Sequence, residues 1–158
     1  MLAGAGKQLL LRLSMNTQPL HFENLNILVV EDDDSSYLLI EELLSIYKLN
    51  LIRASNAEQA LLYIHSNYPL HLAIIDIKLP CNSDGLQLVS VIKKQRPGLG
   101  IIIQSALALN ELQKRQILGL ACDFFYKPLD LSLFFKVVYC HLEHQINLIN
   151  SLTNRSAF

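Results

Sequence analysis

Four consecutive acids, Glu31, Asp32, Asp33 and Asp34, follow the short aliphatic run "NILVV", and a lone acid, Asp76, closes a second run, "LAIID". Ser105 closes the run "IIIQS", and Lys127 follows "DFFY". Carboxylates brought together repel one another by about 4 kcal/mol per pair at ~4 Å and an effective dielectric near ~20. They must share protons or hold a cation. A hydrated, all-oxygen donor set suits Mg2+. A carboxylate beside such an ion is a nucleophile toward a phosphoryl group and yields an aspartyl phosphate. The charge that spreads over the equatorial oxygens in transfer calls for an ammonium and a hydroxyl donor. Lys127 and Ser105 supply these, so the residue types point to phosphoryl transfer onto Asp76.

Such a centre forms only if distant segments bring these residues together. From Asn26 onward, short β-branched runs alternate with segments of helical spacing. Strands are expected at Asn26–Val30, Leu49–Ala54, Leu72–Asp76, Ile101–Ser105 and Asp123–Tyr126. Helices are expected at Ser35–Tyr47, Glu58–Ile64, Leu86–Gln95, Asn110–Leu118 and from Leu131 to about Asn150. Asn56 and Asp130 are candidate caps, and Pro69, Pro97, Gly98, Gly100 and Gly119 are breakers. Strict βα alternation predicts an α/β fold, a doubly wound five-stranded parallel sheet with helices on both faces. Function then gathers at the carboxyl ends of the strands, where the chemical residues fall. With strand order 2-1-3-4-5, the ends of strands one, three, four and five are neighbours.

The segments "ILVVEDDDSSYLLIEELL", "LAIIDIKLPCNSDGLQLV", "IIIQSALA" and "ACDFFYKPLD", in that order, resemble the receiver domain of two-component response regulators, a flavodoxin-like fold. The resemblance covers about Asn26 to His141. It implies that Asp76 is the phosphoacceptor, with Asp32 a direct Mg2+ ligand and Glu31 acting largely through water. It makes the backbone carbonyl of Lys78 a further metal ligand, and Ser105 the hydroxyl that turns toward the phosphoryl group. Lys127 becomes the essential basic partner and Phe124 the aromatic switch residue, and the Lys127–Pro128 bond is expected to be cis. The implied function is a signalling switch with Asp76 phosphorylated by a histidine kinase or a histidine phosphotransfer protein. Its output would leave through the face of the fourth helix, fifth strand and fifth helix. A surplus of apolar residues on the last helix, among them Leu133, Val137, Ile146 and Leu148, makes it a surface for a homodimer or an effector. The expected organisation is a tail at 1–22, the receiver domain at 23–145, and a helix end with a tail at 146–158.

The sequence departs from the family in places. The loop after the acceptor, Pro80-Cys81-Asn82-Ser83-Asp84-Gly85, is one residue longer than usual. Gln104 stands where the family has an apolar residue in a buried strand, so it needs hydrogen-bond partners or partial exposure. Asp34 replaces a frequent proline. Asp33 and Asp34 are read as plain acids at a helix N-terminus.

Composition narrows the alternatives. A net charge of -1 gives no electrostatic case for direct nucleic-acid binding or an anionic membrane. No apolar run approaches the ~18 residues of a membrane helix, and Arg12 interrupts the N-terminal one. "GAGK" at Gly4–Lys7 lacks the spacing of a phosphate loop. Cys81, Cys122 and Cys140 are scattered, and the histidines show no metal spacing, so a reducing cytoplasm is the expected setting. A receiver-fold binding module that acts without phosphorylation is the alternative, favoured by Gln104 and the longer loop. A flavin protein or an aspartyl phosphatase is a third reading. The first is opposed by acids where flavin phosphate would lie, the second by Lys78 where a second Asp would stand.

Overall fold

Hydrophobic runs bounded by capping residues form a five-stranded parallel sheet. The computed structural model describes residues 22–80, 85–106, 108–120 and 123–155. The "GAGK" segment, Cys81, Cys122 and the loop 81–84 lie outside the described residues. The order along the chain is β1 (Asn26–Val30), α1 (Asp34–Leu44) continued by a 3-10 turn at Ser45–Tyr47, β2 (Asn50–Ala54), α2 (Ala57–His65), β3 (Leu72–Asp76), α3 (Gly85–Gln95), β4 (Gly100–Ser105), α4 (Glu111–Gly119), β5 (Asp123–Tyr126) and α5 (Leu131–Arg155).

The strand order is β2-β1-β3-β4-β5, the order expected of the receiver-like fold. All pairings are parallel; Val30 lies opposite both Ala54 and Ile75, and Asp76 opposite Gln104. β1 and β3 are buried along their whole length, so they read as unbroken apolar runs.

Two apolar layers sandwich the sheet. Ile75, Ile103, Ala60, Val89 and Ile92 pack on one face, where α2 and α3 lie. Ile74, Ile102, Ile40, Leu44, Phe134 and Val138 pack on the other, under α1 and α5. Phe22, placed in the tail by sequence, is buried at the edge of the second layer, with its ring 5.5 Å from those of Tyr47 and Tyr139.

Side-chain caps fix the helix starts. Asp33 accepts from the Ser36 amide (2.7 Å), which starts α1 at Asp34 rather than Ser35. Asn56, Asn110 and Asp130 cap α2, α4 and α5 in the same way. α5 runs to Arg155, five residues beyond its expected end, because no glycine or proline interrupts it. No helix among the described residues is long and apolar enough to cross a membrane.

Gln104 departs from expectation. It is 1% exposed, and its Nε2 makes no hydrogen bond. Its neighbours across the ladder are Asp76 and Phe125. The Phe125 side chain has no acceptor, and the Asp76 carboxylate is engaged by Lys127 and the Lys78 amide.

Candidate functional site

The carboxyl ends of β1 and β3 deliver two buried acids to one point. Glu31, the residue after β1, is 2% exposed, and its amide donates to the Ala54 carbonyl (3.0 Å). Asp76, the last residue of β3, is 7% exposed. The strand end is held from both sides: Ile77 N–H donates to Gln104 O (2.9 Å), and Lys78 N–H donates to Asp76 Oδ1 (2.8 Å).

Lys127 closes the centre. Its amide donates to the Ser105 carbonyl (2.8 Å), which ties the end of β5 to that of β4. Its ammonium reaches back between the acids, with Nζ 2.6 Å from Asp76 Oδ2 and 2.7 Å from Glu31 Oε2. Ser36 Oγ on α1 lies 3.5 Å from the same nitrogen. The Lys127–Pro128 peptide is cis, as the resemblance implies.

The charges do not balance. One ammonium serves two buried carboxylates. Burial raises the Glu31 pKa; the Lys127 hydrogen bond and charge pull it down, and the negative Asp76 pushes it up again. Burial works against the Lys127 ammonium, yet its hydrogen bonds to Asp76 and Glu31 outweigh that and hold its pKa above the ordinary 10.5. Asp32, exposed at the mouth, adds a further negative charge.

Of the residues singled out by sequence, Glu31, Asp76 and Lys127 meet directly. Ser105 is buried at the end of β4, beside Tyr126 in the ladder. Asp32 and Lys78 are exposed at the rim. Phe124 is half-buried, 4.7 Å from the Tyr126 ring and nearly perpendicular to it. Among the described residues, no three His, Cys, Asp or Glu side chains gather tightly enough to form a metal cluster by themselves. The donors present, carboxylates and backbone carbonyls with excess negative charge, nevertheless suit a hard divalent cation.

Two supporting residues escape sequence reading. Arg53, at the end of β2, donates from Nε to Glu31 O (3.3 Å) and from Nη2 to Asp32 O (3.0 Å). It also pairs with Asp34 (2.7 Å) and lies 4.8 Å from the Tyr37 ring centre. It thereby fixes the acidic turn. Gly85, the first residue of α3, packs against the backbone of Asp76 and Ile77 so closely that a side chain there has no room. The signal for Arg53 is its register opposite Val29, two residues before Glu31; for Gly85 it is the Asp-Gly dipeptide after the acceptor.

Residues 27–139 match the family model of the response regulator receiver domain. The chain belongs to this family, whose fold is typical of phospho-accepting signalling switches in two-component and phosphorelay systems. It is 30% identical over 109 residues to the cyclic di-GMP phosphodiesterase of Thermotoga maritima, which covers 69% of this chain and 28% of that protein. Over 135 residues it is 26% identical to the sensor protein TorS of Escherichia coli, 85% of this chain and 15% of that one. The chain thus spans less than a third of the length of these relatives. Among solved structures, the CheY-like receiver domain protein from Methanospirillum hungatei JF-1 superimposes with a TM-score of 0.70 at 25% identity, covering 79% of this chain and 98% of that one. The signal receiver domain of an HD domain-containing protein from Pseudomonas fluorescens Pf-5 gives 0.70 at 26% identity, over 79% and 99%.

Proposed function

We propose that this chain is a signalling switch that accepts a phosphoryl group on Asp76 from the phosphohistidine of a histidine kinase or a histidine phosphotransfer protein. The observation that carries this is the Lys127 ammonium held between Asp76 Oδ2 and Glu31 Oε2 at 2.6 and 2.7 Å. Asp76 is the nucleophile: its carboxylate oxygen forms the new P–O bond as the P–N bond to the donor imidazole breaks, and the imidazole leaves with the electron pair. Lys127 stays beside Asp76 and neutralises charge on the incoming phosphoryl oxygens. Ser105, one strand over, supplies a hydroxyl donor to the same group. The Lys78 amide, bonded to Asp76 Oδ1, orients the carboxylate so that Oδ2, beside the Lys127 ammonium, is the oxygen that attacks.

Mg2+ fits the excess negative charge. Asp32, Asp76 and the Lys78 carbonyl would hold it, with Glu31 acting through water. Bound there, the ion supplies charge neutralisation for the phosphoryl oxygens.

Output through the α4–β5–α5 face is supported by the apolar side chains it exposes, Leu112, Tyr126 and Leu133. A homodimer or an effector on α5 suits Leu148, Ile149 and Leu152, all exposed. A receiver unit at 23–145, followed by a helix end and tail at 146–158 and working in the cytoplasm without touching nucleic acid or membrane, completes this reading.

The test is intact mass after incubation with acetyl phosphate, with and without Mg2+, beside Asp76→Asn. A single Mg2+-dependent phosphate adduct that Asp76→Asn lacks is the expected result. No adduct under conditions where Mg2+ binds leaves the phosphate-independent binding module. Gln104, a departure from the family in the strand beside Asp76, is the observation in favour of that second reading.

A further inference from the structure

Four consecutive acids after β1 repel one another, and unrestrained they would splay the turn that carries them. Three have their carboxylates bonded within the protein. Glu31 Oε2 accepts from Lys127 (2.7 Å), Asp33 Oδ2 from the Ser36 amide (2.7 Å) and Asp34 Oδ1 from Arg53 (2.7 Å). Asp32 differs: its side chain is exposed, and the part of it that Arg53 holds is the backbone carbonyl.

The guanidinium spans the whole turn. Arg53 stands on β2 opposite Val29, two residues before Glu31. Its Nε donates to Glu31 O (3.3 Å), its Nη2 to Asp32 O (3.0 Å), and its Nη1 pairs with Asp34. The Tyr37 ring centre lies 4.8 Å from the guanidinium carbon and helps to fix the plane of the fork. All three nitrogens therefore bond to a stretch of four residues that contains Asp32. A lysine ammonium, a point charge on a flexible stem, does not reproduce this planar pattern.

Arg53 has two opposed effects on a cation at this turn. Its positive charge repels the cation, while its bonds keep the Asp32 backbone in one place. The charge effect is blunted, because Asp34 already pairs with the guanidinium. The holding effect is large, because Mg2+ demands near-ideal octahedral geometry and gives up its water reluctantly. Groups that orient a metal ligand without touching the metal typically change affinity 10- to 100-fold.

We propose that Arg53 is a positioning residue for the divalent cation: its three-pronged hold on the acidic turn places Asp32 for Mg2+, by shape rather than by charge. This rests on the proposed role of Asp32 as a Mg2+ ligand.

The test is a titration of the full ¹⁵N-labelled chain with MgCl2 at constant ionic strength, followed by NMR of the backbone amides of residues 31–34 without phosphodonor. Wild type is compared with Arg53→Lys, which keeps the charge and loses the fork, and with Arg53→Met, which loses both. The expected result is Mg2+ affinity about tenfold weaker in both variants. With acetyl phosphate, the Mg2+ concentration for half-maximal phosphorylation should rise by the same factor, with the loss recovered at saturating Mg2+. A merely structural role would lower the urea midpoint and leave the Mg2+ affinity of the folded chain unchanged. Arg53→Lys keeps the test intact if Arg53→Met fails to fold. Undiminished or tighter Mg2+ binding in either variant overturns the positioning role alone. A wild-type chain that binds no Mg2+ overturns it together with the proposed metal site.

Discussion

Gly85 abuts Asp76 backbone to backbone: a β-carbon on Gly85 would lie 2.6 Å from the Asp76 carbonyl oxygen and 2.7 Å from Ile77 Cα. The Gly85 amide also donates to the Ile77 carbonyl (3.0 Å). The first turn of α3 is therefore docked on the strand end that presents the acid, and its position and that of Asp76 are set together.

Gly85→Ala should destabilise the fold by about 1–3 kcal/mol, because backbone atoms rather than a flexible side chain must give way. It should also slow phosphorylation by acetyl phosphate. Urea melts and timed intact-mass measurements check both effects; wild-type values in each would mean that the contact relaxes at no cost.

Gln104→Leu should raise stability by about 1–3 kcal/mol. It removes a buried donor that makes no bond and substitutes an apolar group of similar size. A higher urea midpoint at unchanged slope is the expected reading. A lower midpoint would mean that the amide is satisfied in solution.

Lys127→Met should abolish the adduct and lower stability at pH 7 by about 2–3 kcal/mol. That is below the ~3–5 kcal/mol for breaking a fully buried pair, because the lysine keeps some access to water. The deficit should shrink in acid. Burial already raises the Glu31 pKa, and the variant removes the lysine that pulls it down. A carboxyl with a raised folded pKa binds more protons folded than unfolded, so stability returns as pH falls through that pKa toward 4.5. Urea melts between pH 5 and pH 8 would show the trend, and a pH-independent deficit would contradict it.

His71 should make the fold acid-sensitive at the opposite end of the sheet. Its Nδ1 accepts from the Asn26 amide (2.9 Å) and must be unprotonated to do so. Burial lowers its pKa below the ordinary 6.5. The unfolded chain then binds more protons between the folded pKa and 6.5. The His71 contribution is complete above 6.5 and is lost as pH falls through the lowered value. His71→Asn should lack this step in melts taken from pH 7.5 to pH 5; an identical pH profile would assign the sensitivity elsewhere.

Ending the chain after Ile146 should change stability by less than about 0.5 kcal/mol, since residues 147–153 are all exposed. The same cut should lower self-association if α5 mediates it, which sedimentation would read. Removing Phe22 as well as the tail should cost more, because its ring is buried against Tyr47 and Tyr139.

The parts of this molecule written as local pattern were legible in the sequence. β3 and β5 stand at the residues their apolar runs mark, and βα alternation gives the parallel sheet; its order, 2-1-3-4-5, rests on the resemblance, since alternation alone allows others. That order brings Glu31, Asp76 and Lys127 together, because each immediately follows or ends a strand of the run β1-β3-β4-β5 and the long Lys127 side chain reaches across β4. What escaped depends on rotation and reach. Whether Ser36 faces Lys127 is decided by the phase of α1, and whether Arg53 clasps the acidic turn by the path of a long side chain across a strand. The fate of Gln104 was half legible: its burial followed from its strand, but its lack of a partner depends on what its three-dimensional neighbours already bind.

α5 has 25 residues against five in each of β1 and β3. At 1.5 Å per residue it is about 37 Å long. Only its first part is clamped: Val138 and Leu142 are buried, Ile146 is half-buried, and the turns beyond stand clear of the sheet. A stiff rod held near one end is a lever. A tilt of about 5° at its root, four residues from Lys127, would carry the far tip by roughly 3 Å over a rod of that length. Movements too small to disturb the packed layers around the acid pair would therefore be largest, and easiest for another molecule to sense, at the far end of this helix.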